Sequence, residues 1–290
     1  MTALTIRQIK QQIQQLTNKE TVSPLPSFWF TDWLLYVIDK PALFLITDES
    51  YELTYSEQKQ FDAGVLKMRQ GTPLAYLTGQ QAFWSLNFTV NEHTLIPRPD
   101  TEILVEQVLS WINAQSAQTK NQRLLDLGTG SGCIAISLAH ELKKDNWQVV
   151  AVDLSSEALN VAQHNAVLNR VDNIEFVQSS WYDKLSTQDT FLFDIIVSNP
   201  PYIDETDEHL TRLVAEPISA LSAPNKGLAD IEHIVQQATT YLRSGGLLAI
   251  EHGYDQGASV RQLFLDNGFE SVVTVQDYGG NDRVTLGQSQ

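Results

Sequence analysis

The stretch Leu124-Leu125-Asp126-Leu127-Gly128-Thr129-Gly130-Ser131-Gly132 decides the fold class of this chain of 290 residues. Its first four residues form a mostly apolar run, which is typical of a buried strand in a parallel sheet. The glycines permit a tight turn, and an apolar segment that predicts a helix begins at Gly132. A strand, a glycine-rich turn and a helix in this order are the context of a nucleotide-binding site.

After Leu124 the chain alternates between predicted strands and predicted helices, which is typical of an α/β fold with a mostly parallel sheet and helices on both faces. The predicted strands are Leu124–Leu127, Val149–Val152, Ile174–Val177, Phe193–Ser198 and Leu247–Glu251. The predicted helices are one that begins at Gly132, then Ser155–Leu168, Ala229–Leu242 and Gly257–Asn267. Last, Ser271–Asp277 and Arg283–Leu286 flank Gly279-Gly280-Asn281 and predict a terminal antiparallel hairpin.

The glycine turn has the electrostatics of a site for a ligand without phosphate. The motif G-x-G-x-x-G would need glycine at position 133, where Cys133 stands, and the chain has no P-loop motif. No Lys or Arg lies between Arg123 and Lys143, and Asp126 precedes the turn. A carboxylate repels a pyrophosphate but attracts a cation, so the turn agrees with a positively charged ligand that lacks phosphate; the sulfonium and the α-ammonium of S-adenosylmethionine are such cations.

Asp153 is the second candidate ligand of that cofactor. It ends the second predicted strand, 21 residues after Gly132. An acidic side chain at this place can accept hydrogen bonds from both hydroxyls of a ribose. A helix N-cap or a solvated strand end is the alternative for Asp153 taken alone.

The tetrapeptide Asn199-Pro200-Pro201-Tyr202 directly follows the predicted strand Phe193–Ser198, at the end where open α/β sheets bind ligands. Two consecutive prolines fix two φ angles and remove two backbone donors, so the turn is stiff. The side-chain carbonyl of Asn199 and the backbone carbonyl of Pro200 can form a pair of acceptors beside the ring of Tyr202. This pair suits a planar group with two N–H donors, and it favours methyl transfer to that nitrogen. A rigid loop without a catalytic role is the alternative.

Further segments accompany the tetrapeptide: Ile96-Pro97-Arg98-Pro99-Asp100-Thr101-Glu102, Glu216-Pro217 followed by Ala220-Leu221, and Asp277-Tyr278-Gly279 followed by Arg283. Together with the glycine turn, they resemble the peptide chain release factor N5-glutamine methyltransferase family, PrmC/HemK. The resemblance implies a class I S-adenosylmethionine-dependent methyltransferase fold, with a mostly parallel seven-stranded sheet, a C-terminal antiparallel hairpin and a preceding small helical domain. It also implies that the Pro97-Arg98-Pro99 segment lies against the cofactor site.

The resemblance implies transfer of the methyl group of S-adenosylmethionine to the side-chain amide nitrogen of the glutamine in the Gly-Gly-Gln motif of class 1 release factors. The catalytic residues would be Asn199, Pro200 and Tyr202, and Pro201 would join them in binding the substrate. The cofactor-binding residues would be Gly128, Thr129, Gly130, Ser131, Gly132, Asp153, Trp181 and Asn199. Trp181 is the family's residue for the adenine pocket, and a core or surface tryptophan is its alternative.

Other functions compete with this one. They are methylation of a ribosomal-protein glutamine, of adenine N6 or cytosine N4 in nucleic acid, and cofactor binding by a regulator without turnover. Residues 91–290 carry 12 Lys and Arg against 27 Asp and Glu, a net charge of −15. Because nucleic-acid binding depends on basic residues that neutralise phosphates, this charge argues against a direct nucleic-acid substrate.

We divide the chain into an N-terminal helical substrate-docking domain over residues 1–79, a hairpin and linker over 80–99, and the catalytic domain over 100–290. The predicted helices of the first part are Thr5–Thr17, Ser27–Asp39, Ser56–Gln70 and a short one that begins at Pro73. Ile6, Ile9, Ile13 and Leu16 follow the helical spacing of a single face. The second helix is rich in aromatic residues, which form either the core of a small bundle or a surface for a partner.

The segments that join the two parts also have a predicted structure. Gln81–Trp84 and Asn87–Val90 alternate and predict a short hairpin. After the rigid prolines, Asp100 or Thr101 offers an N-cap oxygen to a helix through Ile112.

Composition limits the remaining possibilities. Cys133 is the single cysteine, so an intrachain disulfide is excluded and a buried structural thiol in a reducing cytosol is expected. The six histidines form no triad and no metal-ligand spacing, and no metal is expected. Without a signal-peptide core or an apolar stretch of roughly 18 residues, we expect a cytoplasmic protein without membrane contact, and a monomer.

Overall fold

The computed structural model describes residues 4–19, 25–115, 122–188 and 191–290. The chain divides into two compact units, Met1–Gly79 and Gln80–Gln290. None of the helices in the described ranges is long and apolar enough to cross a membrane.

The first unit is helical, as the sequence predicts. Its helices are Ile6–Lys19, Ser27–Ile38, Phe44–Thr47, Tyr55–Arg69 and Leu74–Thr78. Thr54 begins the fourth of them with a capping box, in which its side chain and that of Glu57 each accept the other's backbone N–H. Ile6, Ile9 and Ile13 are buried along one face, which confirms the predicted spacing for these three residues. The side chain of Leu16 lies outside the described part of the chain.

Only some of the aromatic rings of the helix Ser27–Ile38 are buried in the core of this unit. Phe30 and Trp33 are buried, and the Trp33 indole N–H donates to the Phe61 carbonyl at 3.1 Å. A Cβ atom at Gly64 would lie 2.1 Å from the Trp33 ring, so the two helices meet where only glycine fits. Phe28 and Tyr36, by contrast, are 59% and 48% exposed.

The second unit is built on a seven-stranded sheet. Numbered along the chain, the strands of this unit are β1 (Gln80–Phe83), β2 (Leu86–Thr89), β3 (Arg123–Leu127), β4 (Gln148–Asp153), β5 (Ile174–Gln178), β6 (Phe193–Ser198), β7 (Ile203–Asp204), β8 (Ser222–Ala223), β9 (Leu242–Glu251), β10 (Glu270–Gln276) and β11 (Asp282–Gln288). The large sheet has the order β10-β11-β9-β6-β3-β4-β5. β11 is antiparallel to both of its neighbours, while the other pairs are parallel. The predicted seven-stranded sheet with a terminal antiparallel hairpin is confirmed.

Helices cover both faces of this sheet. They are Glu102–Ala114, Cys133–Glu141, Ser156–Leu168, Ala229–Tyr241 and Gly257–Asp266, with a short helical turn at Pro224–Gly227. Side chains alternate along β3, so that Leu124 joins one hydrophobic cluster and Leu125 and Leu127 join another. Because both faces are buried, the central strands are apolar at nearly every position.

Two details differ from the sequence predictions. The N-cap prediction is wrong, because neither Asp100 nor Thr101 caps a helix. Pro99–Thr101 forms a 3-10 turn, and Thr101 has helical backbone angles and makes no side-chain cap hydrogen bond. β9 begins five residues earlier than predicted, at Leu242, which pairs with Phe193 before the register shifts. Gly245 adopts φ +77° next to this irregularity. Such a turn interrupts the side-chain alternation of the strand, so the first residues of β9 do not show the pattern from which strands are predicted.

Candidate active site

A cavity of about 640 Å³ lies at the carboxyl ends of the central strands. β4 lies on one side of β3 and β6 on the other, so the order of the strands along the chain reverses at this point. Such a switch point opens a crevice above an α/β sheet, and ligands bind there. Both predicted site residues and residues of neighbouring loops line this cavity. The predicted site residues among them are Gly128, Thr129, Gly130, Ser131, Asp153, Trp181, Asn199 and Pro201.

The glycine turn is held against β4 by its own backbone. The N–H groups of Gly128 and Thr129 both donate to the Val152 carbonyl at 2.9 Å. Gly128 and Gly130 adopt φ +73° and +56°, angles that L side chains rarely take, and both line the cavity. Gly132 (φ +83°) is not among the lining residues: a Cβ there would lie 2.7 Å from Ile136 Cδ1, so this glycine is required by packing.

Asp126 lies under the turn, is fully buried and is not among the residues that line the cavity. The Thr129 hydroxyl donates to its Oδ2 atom at 2.7 Å, while Oδ1 has no hydrogen-bond partner within the described residues. Burial raises the pKa of Asp126 to about 7, and the hydrogen bond from Thr129 opposes that shift. A cation bound near the turn would therefore favour the ionised form of this carboxyl.

Asp153 connects the glycine turn to the start of the helix that follows β4. Its Oδ2 atom accepts from the Gly130 N–H at 2.8 Å and its Oδ1 atom from the Ser155 N–H at 2.9 Å. The N-cap of the following helix is Ser155, whose side chain accepts from the Ala158 N–H, so the N-cap alternative for Asp153 does not apply. Burial raises the pKa of Asp153, and the backbone donors oppose that shift.

Trp181 forms part of the cavity wall beside the glycine turn. It has φ +42°, a strained conformation for a bulky residue, and its ring would lie 3.4 Å from a Cβ atom at Gly128. Asp230 also lines the cavity, and burial raises the pKa of its carboxyl group. Sequence reasoning missed Asp230, since nothing in the helix that begins at Ala229 sets this residue apart from an ordinary first-turn acid.

The tetrapeptide follows β6 at the predicted end of the strand. Asn199 and Pro201 line the cavity, whereas Pro200 is buried and neither it nor Tyr202 is among the lining residues. The Asn199 Nδ2 group donates to the Thr101 hydroxyl at 3.2 Å. The Tyr202 hydroxyl donates to Oε1 of Glu251 at 3.3 Å, and burial raises the pKa of Tyr202.

An ion pair fixes the loop wall of the cavity. Arg98 lines the cavity and pairs with Glu216, whose side chain is buried and whose Oε2 atom also accepts from the Ile96 N–H at 3.0 Å. Pro97 and Pro217 line the cavity on either side of this pair. Breaking such a pair would leave a buried carboxylate without its counter-charge, which is strongly destabilising.

Cys133 is half-buried in the wall of the cavity. Burial raises the pKa of its thiol to about 12, and the charge of Asp126 acts in the same direction. The thiol is therefore protonated at neutral pH and is not a nucleophile.

The residues present fit S-adenosylmethionine. The buried Asp126 Oδ1 atom has no partner among the described residues, and a Cβ atom at Gly130 would meet nothing within 4 Å. The cavity itself is lined by the carboxyl groups of Asp153 and Asp230 and by the ring of Trp181. Acidic groups and an aromatic wall match a cation with a flat base.

Comparison with known proteins defines the class first. A family model described as "Methyltransferase domain" matches residues 118–279. The solved N-terminal domain of human METTL16 in complex with SAH has a TM-score of 0.52 and 19% identity, and the match covers 89% of this chain and 94% of that one. A methyltransferase from Pyrococcus furiosus has a TM-score of 0.51 and 15% identity, with 78% and 98% covered. The fold is that of the class I methyltransferases, and S-adenosylmethionine is the methyl donor.

Full-length relatives define the family. A release factor glutamine methyltransferase of Aliivibrio fischeri is 44% identical over 97% of this chain and 95% of its own length. The protein of the same name from Escherichia coli K12 is 45% identical, with 88% and 89% covered. The chain belongs to the release factor glutamine methyltransferase family.

Proposed function

We propose that this chain methylates the side-chain amide nitrogen of the glutamine in the Gly-Gly-Gln motif of class 1 peptide chain release factors. The observation that carries the proposal is Asn199, which stands at the carboxyl end of β6 in the wall of the cavity that contains the glycine turn. The names of the relatives support the choice of substrate.

Residues of the turn and of the neighbouring strands hold the cofactor in this proposal. The backbone of the turn and the Asp153 carboxylate bind the ribose end, and the Trp181 ring packs against the adenine. Asp126 stabilises the positive charge of the methionine end. When bound, the cofactor supplies a methyl group on a sulfonium, which is an excellent leaving group.

The substrate amide is held by acceptors at the tetrapeptide. Oδ1 of Asn199 and the carbonyl of Pro200 accept the two N–H groups and aim the nitrogen lone pair at the methyl carbon. An N–CH₃ bond forms as the S–CH₃ bond breaks, and the nitrogen then loses one proton to solvent. These acceptors stabilise the positive charge that develops on nitrogen, while Tyr202 supports the loop from behind.

A second proposal concerns the helical unit, which we assign to docking of the protein substrate. A pocket that recognises one amide cannot select one protein among many, so specificity needs a further surface. Phe28 and Tyr36 are exposed aromatic residues of the kind enriched at binding hot spots. Their joint replacement by alanine should lower kcat/KM on intact release factor about tenfold or more. Val167→Ala, at an apolar position of the second unit that is also exposed, is the matched control.

Activity on a short Gly-Gly-Gln peptide separates docking from chemistry. The Phe28 and Tyr36 variant should act on the peptide as the unchanged protein does, because the peptide lacks the second surface. Equal kcat/KM values on intact release factor would show that these rings have no docking role.

One labelling experiment tests the main function. The protein is incubated with tritiated S-adenosylmethionine and, in parallel, with a purified class 1 release factor, ribosomal subunits and DNA. We expect label in the release factor, and none in a release factor whose Gly-Gly-Gln glutamine is replaced by alanine. Label in ribosomal subunits or DNA instead would refute the proposal and select one of the competing functions.

The Asn199→Ala variant tests the site itself. We expect kcat to fall about a hundredfold or more, the scale for removal of one preorganised transition-state contact, while cofactor affinity stays within about twofold. Asn267→Ala is the control, since this asparagine bonds to the Leu263 carbonyl at a helix end and is not a cavity residue. Turnover by Asn199→Ala at the rate of that control would exclude the assigned role.

A further inference from the structure

The side chain of Gln256 joins three segments beside the tetrapeptide. Its Nε2 group donates to the Tyr202 carbonyl at 2.9 Å and to the Lys226 carbonyl at 3.0 Å. Its Oε1 atom accepts from the Gly253 N–H at 2.8 Å. Gln256 is only 8% exposed, so little solvent competes for these bonds. One amide therefore connects the last residue of the tetrapeptide, the turn Pro224–Gly227 and the loop after β9.

The three bonds fix the orientation of this amide. A side-chain amide has an oxygen that only accepts and an NH₂ group with two protons to donate. The Gly253 N–H requires the oxygen on its side, and the two backbone carbonyls require the NH₂ group. Gln256 is also the N-cap residue of the helix Gly257–Asp266, yet its side chain makes no cap hydrogen bond. Both of its donors are used on the neighbouring segments instead.

Gly227 meets the same carbonyl of Tyr202. A Cβ atom at Gly227 would overlap that carbonyl oxygen and lie 2.9 Å from Nε2 of Gln256, so a side chain at this position would displace one of these groups. The turn is also strained, since Asn225 and Lys226 both have φ +56°. Such a conformation persists only where the surroundings hold it, and the bond from Gln256 to the Lys226 carbonyl is one of the contacts that do so.

The tetrapeptide needs anchors of this kind. Pro200 and Pro201 have no N–H group, so neither can donate a backbone hydrogen bond. The segment starts at the end of β6, where Ser198 pairs with β3 and β9. It ends at Tyr202, whose carbonyl is held by Gln256, and β7 follows directly and pairs with β8. The two prolines therefore lie between points that are fixed from outside.

We propose that Gln256 is a positioning residue, which holds the end of the tetrapeptide so that the two acceptors, Oδ1 of Asn199 and the Pro200 carbonyl, keep their places for the substrate amide. The inference rests on the proposed function, in which these acceptors bind the glutamine. Because both prolines have fixed φ angles, a shift of Tyr202 is passed on to Pro201, which lines the cavity. Gln256 is not among the lining residues, so it acts through the tetrapeptide.

Gln256→Met gives the first test, with purified full-length protein, S-adenosylmethionine and a release factor. Methionine is unbranched and of similar length, has no N–H donor and adds no buried charge. We expect kcat to fall about ten- to a hundredfold, the scale of a misplaced reacting group, while the calorimetric Kd for S-adenosylmethionine stays within about twofold.

Asn173→Leu is the matched control for this variant. The Nδ2 group of Asn173 also donates to two backbone carbonyls, those of Ala139 at 3.3 Å and Trp147 at 3.2 Å. These bonds lie at the amino ends of β4 and β5, and Asn173 is not a cavity residue. The control should lose stability and keep kcat.

Gly227→Ala displaces the same carbonyl by crowding and leaves the glutamine in place. We expect a lower kcat and a cofactor Kd within about twofold here as well. Gly268→Ala controls for the backbone strain, because Gly268 has φ +82° against +79° at Gly227 and nothing within 4 Å of its Cβ position. This second pair decides the question even if Gln256→Met fails to fold.

Two readouts distinguish positioning from a simple loss of stability. Activity is expressed per cofactor-binding site, counted by calorimetry, so that an unfolded fraction does not lower kcat. The loss of kcat should also be equal on a short Gly-Gly-Gln peptide and on intact release factor, because the defect lies at the reacting amide and not in docking.

The outcomes separate the two proposals. If Asn199→Ala lowers kcat but Gln256→Met and Gly227→Ala match their controls, the positioning role is wrong and the proposed function stands. A loss confined to intact release factor, or an equal loss in the controls, would also overturn the positioning role. Failure of the unchanged protein to label release factor would overturn both.

Discussion

Gly130 offers the most direct test of where the cofactor lies. It has φ +56°, it lines the cavity, and a Cβ atom there would meet no protein atom within 4 Å. Replacing it by alanine therefore changes two things only: the backbone strain and the open space beside the turn. The N–H bond to Asp153 is unaffected, because alanine keeps the backbone donor.

The size of each effect follows from this geometry. Holding a residue other than glycine at a left-handed φ costs about 1 to 2 kcal/mol. At about 2 to 4 °C per kcal/mol for a unit of this size, the melting temperature should fall by about 2 to 8 °C. If the cofactor fills the space, forcing a methyl group into it costs about 1 to 3 kcal/mol, or about a 5- to 150-fold rise in the Kd for S-adenosylmethionine.

Gly245→Ala separates strain from obstruction. Gly245 has φ +77° and open space around its Cβ position, but it lies near the start of β9, at the other end of the strand from Glu251. Melting curves should show similar losses of stability for the two variants, and calorimetry should show weaker cofactor binding for Gly130→Ala alone. Equal Kd values for both variants would refute the placement of the cofactor against Gly130.

Three further predictions concern carboxyl groups of the site. Asp153→Ala should weaken S-adenosylmethionine binding by about 1.5 to 3 kcal/mol, since a hydrogen-bonded charge is lost, and an unchanged calorimetric Kd would place the ribose elsewhere. Cofactor affinity should rise as the pH increases from about 6 to 8, because the cation prefers ionised Asp126, and Asp126→Asn should make affinity independent of pH in this range. The cofactor-free protein should lose stability as the pH rises from about 4 to about 7: Asp126 and Glu251 have folded pKa values of about 7, above their unfolded values, so their contribution is fully present below the unfolded values and is lost by the time the pH has passed through 7. A melting temperature that falls equally between about pH 4 and about pH 7 when both groups are replaced by their amides would contradict this assignment.

The sequence by itself determined the fold class and the strand ends at which the candidate site lies. Apolar runs, helical spacing and glycine turns are local patterns, and each depends on residues within one element or its nearest neighbours. They were sufficient to predict a mostly parallel sheet with a terminal antiparallel hairpin, and β6, which has the predicted bounds Phe193–Ser198. They also placed the glycine turn and Asn199 at strand ends, and both line the same cavity.

The tertiary structure alone decided which side chains support that chemistry. Thr101 and Asn199 lie 98 positions apart, and Arg98 and Glu216 lie 118 apart, yet each pair is in direct contact. Asp100 or Thr101 was predicted as a helix cap, because a local pattern cannot show a partner of Thr101 so distant in the chain. Such contacts arise from the order of strands in the sheet and from loop paths, which no local spacing encodes.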